Sequence, residues 1–340
     1  MAVKKLGSQT VKLMNPPSII ATGTTVGPKE GDGPLAEYFD KIVDDDLLGE
    51  DSWEKAESEL IKQSANIALD KVKMNLADME YMFGGDLLNQ LMPTSFAARE
   101  MKVPFFGIYG ACSNSTESLS LAAMIVDGGY ADKVITTASS HFSSAERQYR
   151  FPLESGNQRP LTSQWTVTGA GASIVSSEGS GPYITYITTG KVIDFGIKDA
   201  ANMGAAMAPA AVDTLKAHFN DTGFKPEDYD LIITGDLGKI GHEIVLELLE
   251  KEGYNMSKVF KDCGVEIFDH ERQDTHAGGS GCGCSAVVFG GYLYKQLKSK
   301  KLKKILLVAT GALLSPTSAL QGESIPSIAH AVTIQSQLMN

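Results

Sequence analysis

Apolar residues along the chain fall into short continuous runs separated by longer stretches of helical spacing. The runs "SIIATG" (18–23), "KVITTA" (133–138), "LIITG" (231–235) and "ILLVAT" (305–310) are rich in aliphatic and β-branched side chains. Their length and composition predict buried strands. Helix-like stretches at 57–73, 116–128, 206–220 and 284–296 alternate with them. Two of these, 116–128 and 284–296, carry few charges, so the pattern predicts helices buried on most sides. Helices alternating with short buried strands predict an α/β architecture with mainly parallel sheets.

The pattern occurs twice. "LADMEYMFGGDLLNQ" (76–90) aligns without gaps on "PEDYDLIITGDLGKI" (226–240), with Asp78 on Asp228 and Gly85-Asp86-Leu87 on Gly235-Asp236-Leu237. A second correspondence follows in the same order. "ACSNSTESLSLAAMIVDGGYADKVITTAS" (111–139) and "GCGCSAVVFGGYLYKQLKSKKLKKILLVATG" (281–311) both read as small-residue turn, apolar helix, charged break and strand. The two correspondences suggest an internal duplication, with halves at 1–178 and 179–340. Two related halves would bring their glycine-rich turns to a shared central site. The acidic stretch 27–57 falls outside the repeat and reads as a solvated insertion.

Composition narrows the function classes. With 30 basic and 41 acidic residues the formal charge is −11. That argues against broad binding to nucleic acid or anionic lipid, both of which reward a basic surface. No apolar run approaches the length of a spanning helix, and no apolar stretch of signal-peptide type follows the basic start. Four cysteines in 340 residues make no disulfide framework and fit a reducing compartment.

Three constellations carry candidate chemistry. Cys112 lies in "YGACSNSTES" (109–118), at the predicted start of a helix. Unpaired backbone N–H groups and the helix dipole there lower a thiol pKa, and the N–H groups of Cys112 and Ser113 suit an anion. Glu117, about one turn on, opposes this by like charge. Cys112 therefore reads either as a nucleophile or as an inert packing residue. The second constellation is "DTHAGGSGCGCSA" (274–286), where His276 precedes a glycine-rich turn containing Gly278. Its C-x-C spacing is not that of a zinc site, and no metal centre is expected. The third is 143–165, which reads as a long loop. It holds Arg147, Arg150 and Arg159, three of the five arginines in the chain. Such a loop suits a lid, and planar guanidinium groups suit carboxylates. The same arginines could equally pair with surface acids.

These residues carry a family likeness. "GACSNSTESLSLA" resembles the nucleophile turn of thiolases and of ketoacyl-ACP synthases type III. "TVTGAGASIV" (166–175) is similar to the "FGDGAGA" strand-turn of the same superfamily, "THAGGSGCGCSA" to its catalytic-His turn, and "VATGALLSP" (308–316) to its late glycine-rich loop. The resemblance covers nearly the whole chain. It implies a thiolase-like fold of two βαβαβαββ halves in α-β-α-β-α layers, usually dimeric. It also implies a relic of the nucleophile site in Cys112, His276 and Asp236. Asp236 stands where the condensing enzymes place a His, and Ala309 and Thr310 where thiolases place a late Cys. An ionised carboxylate opposes a developing oxyanion, so the resemblance implies that condensation and thiolysis are lost.

The stretches "DDDLLGEDSWEKAE" and "RFPLESGNQRPLTSQWTVTGAGA" resemble a branch of that superfamily from spore-forming bacteria. That likeness implies a peripheral subunit held by membrane proteins of the spore inner membrane. The complex moves dipicolinic acid (pyridine-2,6-dicarboxylate, with calcium) in sporulation and germination. The ligand residues it implies are Cys112, Ser113, Glu117, Arg150, Asp236, His276 and Gly278, with calcium shared by acids such as Glu117 or Asp236 and no cofactor. The alternative is an acyltransferase or condensing enzyme acting on an acyl-CoA through Cys112, although no basic cluster for CoA stands out.

Overall fold

A computed structural model describes residues 4–149 and 158–338. Each half of the chain runs through the same eight elements. The first holds β1 (Ser18–Val26), α1 (Trp53–Lys71), β2 (Tyr81–Gly85), α2 (Met92–Met101), β3 (Phe105–Gly107), α3 (Asn114–Asp127), β4 (Lys133–Ser140) and β5 (Gly169–Ser176). The second holds β6 (Tyr183–Thr188), α5 (Met203–Thr222), β7 (Leu231–Thr234), α6 (Gly238–Lys251), β8 (Phe260–Asp262), α7 (Cys282–Val287), β9 (Lys304–Ala312) and β10 (Ser327–Gln335). Helix α7 continues through a π-helical turn, Val288–Leu293, into Tyr294–Lys298. An extra helix, α4 (Phe142–Tyr149), follows β4.

Strand order is the same in both halves: β1-β5-β4-β2-β3 and β6-β10-β9-β7-β8. In each, four strands run parallel and one, β5 or β10, runs antiparallel to both its neighbours. A single antiparallel contact, Ser18 to Tyr183, joins the two sheets. The 178/179 division lies in the β5–β6 connection. The ungapped repeat maps onto equivalent elements. Asp78 accepts the Asn75 N–H at 2.8 Å and Asp228 accepts the Lys225 N–H at 2.8 Å, each closing a single turn before β2 or β7.

Every central strand is buried on both faces, which is why its sequence is a continuous apolar run. On β9, Ile305 and Leu307 enter one core while Leu306 and Val308 enter another. On β4, Val134 and Ile135 divide in the same way. Helices α1 and α2 cover the outer face of the first sheet, and α5 and α6 the outer face of the second. Between the sheets lie α3 and α7, which contact strands of both. The result is five layers, α-β-α-β-α. The low charge of 116–128 and 284–296 thus reflects two-sided burial, with Leu119, Val126, Phe289 and Leu293 in the central core. Each such side chain contributes ~1.5–3 kcal/mol on full burial.

Two expectations change. The stretch 27–57 is not simply a solvated insertion. Leu35, Phe39 and Val43 are buried, Lys41–Ile42 pairs in parallel with the end of β1, and buried Glu30 accepts the Thr168 N–H at 3.0 Å. Spaced apolar residues hold an otherwise acidic run to the sheet. The segment 143–165 is not wholly a loop either. Its first residues form α4, because the Pro and Gly that suggest a loop all lie beyond residue 151.

Gly23 on β1 makes the α1 crossing possible. A Cβ there would stand 2.0 Å from the Ser64 carbonyl oxygen. Gly23→Ala should push α1 off the sheet and cost about 1–3 kcal/mol, the usual range for overpacking. Chemical denaturation measures it, and an unchanged midpoint would show that α1 yields freely.

Candidate functional site

Cys112 sits on a single tight turn, Ala111–Ser113, between β3 and α3. Ala111 has φ +50°, a left-handed conformation unusual for alanine. The turn is held from three sides. Asn114 Oδ1 accepts the Gly110 N–H at 2.7 Å, Asn114 Nδ2 donates to the Asp86 carbonyl at 3.1 Å, and Ser113 Oγ donates to the Gly110 carbonyl at 2.7 Å. From the second half, Gly311 on β9 approaches so closely that a Cβ would stand 2.0 Å from the Gly110 oxygen.

Asp236, at the end of β7, lies directly beside the thiol. Its carboxylate accepts the Gly281 N–H at 2.9 Å, the Thr310 hydroxyl at 2.9 Å and the Ser280 hydroxyl at 3.4 Å. The Cys112 thiol lies close enough for the carboxylate to act on it. Three donors surround one fully buried carboxylate. Burial and then the Asp236 charge push the Cys112 thiol well above its ordinary pKa. Burial also raises Asp236 to about 6 against its donors. An activated thiolate requires the opposite environment.

An open cleft begins at Cys112. The first half contributes Leu87, Ala145, Tyr149, Gln164 and Thr166 to its walls, and the second half Met203, Ser280, Ala312 and Leu314. The residues named as candidates divide. Cys112, Ser113 and Asp236 come together, but the Ser113 N–H and hydroxyl both go to the Gly110 carbonyl. Glu117 tucks its carboxyl under the turn. A Cβ on Gly110 would meet Glu117 Oε2 at 2.4 Å, that oxygen is buried without a hydrogen bond, and burial raises its pKa.

His276 does not line the cleft. Its Nδ1 lies 2.9 Å from the Pro160 carbonyl oxygen and its Nε2 2.9 Å from Asp274. The reason is backbone direction, since His276 has φ +50° and its turn aims the ring at residues 158–163. Gly278, φ +119°, packs against the Gly264 carbonyl and is a turn residue. Arg150 lies outside the described residues. Arg147 pairs with Glu54 and Arg159 with Asp274. Among the described residues no three acidic, His or Cys side chains group to hold a metal. The residues that sequence reasoning missed are Ser280, Thr310, Gln164 and Tyr149. All four lie in stretches already singled out, Ser280 and Thr310 in the glycine-rich turns and Tyr149 and Gln164 in 143–165.

The duplicated aspartate reappears as Asp86, buried near Cys282. It accepts the Thr94 N–H at 3.0 Å and the Leu88 N–H at 2.8 Å. Close by, Glu57 of α1 accepts from Ser139 at 2.9 Å and from Ser144 of α4 at 3.1 Å. Burial, with Asp86 second, raises Glu57 to about 8.

The topology and the Cys112 turn define the class of protein, a thiolase-like synthase fold. Solved structures agree at the level of fold. 3-Oxoacyl-(acyl carrier protein) synthase III from Aquifex aeolicus superposes with TM-score 0.59 at 17% identity, covering 94% of this chain and 99% of that one. An OleA variant from Xanthomonas campestris gives 0.62 at 14% identity, covering 94% and 97%. The sequence is more specific. The family model for stage V sporulation protein AD matches residues 7–335. Stage V sporulation protein AD of Bacillus subtilis (strain 168) is 46% identical over 333 residues, 98% of each chain. The chain belongs to the stage V sporulation protein AD family.

Two measurements follow from the buried groups. Cys112 should resist iodoacetamide in the native protein at neutral pH and react faster in Asp236→Asn; reaction with an apparent pKa below about 7 would contradict the pairing. The second concerns stability. Glu57, raised to about 8, and Glu30 and Asp262, each raised to about 7, bind more protons native than unfolded. Stability therefore falls as pH rises through these values. Buried His218 and His330, lowered to about 3 and 4, act in the opposite sense only below the ordinary histidine range. Tm should thus decline between about pH 6.5 and 8.5, and Glu57→Gln should flatten the decline. A Tm that rises over that window would contradict the assignment.

Proposed function

We propose that this chain is a dipicolinate-binding subunit that uses the Cys112 cleft as its ligand site and turns over no substrate. The observation that carries the reading is the Cys112–Asp236 pair, a thiol held protonated where the fold's synthases would need a nucleophile. Family membership supports a role in sporulation. The cleft suits a flat aromatic acid, with apolar walls at Leu87, Met203 and Leu314 and polar edges at Gln164, Thr166 and Ser280. Calcium enters this reading as the ligand's own chelated ion, because Asp236 is already filled with donors.

Attachment to the spore inner membrane, uptake in sporulation and release in germination belong to the same proposal, through membrane-protein partners. Among the described residues no helix is long and apolar enough to cross a membrane. A homodimer is proposed along β3, an edge strand with Phe106 and Tyr109 exposed beside it. Acyl transfer from acyl-CoA through Cys112 is the second reading. The fold favours it, and Asp236 opposes it.

Calorimetry with dipicolinate, with and without calcium, tests the proposal. Cys112→Ala should keep most of the affinity, and Cys112→Trp should abolish it by filling the cleft. Equal binding by the parent and Cys112→Trp would place the ligand elsewhere. A covalent acyl adduct at Cys112 after incubation with acetyl-CoA would favour the second reading.

A further inference from the structure

The described walls of the Cys112 cleft carry no Lys, Arg or His, although the ligand proposed for it is a dianion. Positive charge gathers instead around Trp165, the residue between cleft-lining Gln164 and Thr166. Phe142 stacks on the Trp165 ring at 3.7 Å. Lys29 Nζ stands 3.9 Å from the ring centroid and the Arg159 guanidinium 4.9 Å from it.

The counter-charge is thin. Arg159 Nη2 meets Asp274 Oδ2 at 2.6 Å, and the other oxygen of Asp274 faces His276. The Arg159 side chain is only 9% exposed, while that of Asp274 is 68% exposed. Arg159 Nη2 also donates to the Asp274 carbonyl at 3.2 Å, while Nη1 is buried and makes no hydrogen bond among the described residues. Lys29 has no carboxylate within ion-pair distance among the described residues. A buried guanidinium with half of its fork unused is costly unless something fills it.

The geometry points to an oxyanion subsite at Arg159 and Lys29, beside Trp165, that receives one carboxylate of the ligand whose ring occupies the Cys112 cleft. The ligand's identity rests on the dipicolinate reading, whereas the subsite rests on the unfilled guanidinium. A planar carboxylate can span Nη1 and Nη2 together, with Lys29 adding charge. Asp274 is then the internal competitor. It holds Arg159 through one nitrogen and yields that nitrogen to the ligand.

The competition gives a test with opposite signs. In calorimetry with dipicolinate, Arg159→Gln should weaken binding by roughly 10- to 150-fold, the range for a lost hydrogen bond to a charged group. Asp274→Asn should tighten it several-fold. Both variants break the same ion pair, so a merely structural role would move them in the same direction. Weakening in both, or no change in either, while Cys112→Trp abolishes binding, overturns the subsite and leaves the dipicolinate reading standing. If the parent binds no dipicolinate, that reading fails and the subsite is decided separately. In a Trp53→Phe background Trp165 is the only tryptophan, and its fluorescence can be titrated with pyridine-2-carboxylate and with inorganic phosphate. A saturable response to the carboxylate that Arg159→Gln removes supports the subsite. No response, or a response to phosphate alone, overturns it as a carboxylate site.

Discussion

Ser115 and Ser285 meet at 2.5 Å, hydroxyl to hydroxyl, near the N-terminal ends of α3 and α7. That close crossing between two sheets sets the position of everything at the site. Small residues allow it: Asn114, Ser115 and Thr116 open α3, and Cys282, Gly283, Cys284 and Ser285 open α7. Once the helices cross there, the turn before α3 falls beside the strand ends of the opposite half. Cys112 thereby meets Asp236 and Gly281, both from the second half. Bulk at Ser115, Ser285 or Gly311 would part the halves and dismantle the cleft without touching a lining side chain.

Duplication placed an aspartate at the same point of each half, and the crossing made the two unequal. Asp236 is packed against a thiol, two hydroxyls and an amide N–H, buried behind the Cys112 turn that lines an open cleft. Asp86 turns to the Thr94 and Leu88 amides and is enclosed by α1, α2 and Cys282. One half supplies the backing of a site, and the other supplies a sealed polar core. The enclosed group also fastens α4, since Glu57 accepts from Ser144 while Glu54 pairs with Arg147. Cleft-lining Ala145 and Tyr149 ride on that helix, so α1 sets the position of one wall.

The cleft is therefore mostly apolar, with Glu146 in its wall and Asp236 buried behind Cys112, and the cations lie one residue to the side. A thiolase-like enzyme needs charge stabilisation at the sulfur and at the developing oxyanion. Here the carboxylate takes the local donors, and the thiol keeps its proton. On the function proposed here, those features suit retention of a ligand better than its transformation.

The strands and helices were legible because two-sided burial writes itself as continuous apolar runs, and the duplication was legible because Asp78/Asp228 and Gly85/Gly235 repeat the same local work. The position of Cys112 at a helix start, and its conflict with Asp236, could also be read from spacing and resemblance. The orientation of His276 could not. A left-handed backbone at one residue swings its ring toward Pro160 and Asp274, and no pattern of residue types encodes that torsion. The segment 27–57 misled for a related reason: its acids outnumber the few apolar residues that pin it. Arg159, Lys29 and Trp165 stand far apart or unremarked in the chain and become one cluster only when β1 and β5 pair. Local sequence thus determined which segments would be helix, strand and buried core, since those depend on near neighbours and hydrophobicity. Tertiary structure alone decided which charges share a ring, which carboxylate faces a thiol and which histidine turns away, because each depends on contacts between residues distant in sequence.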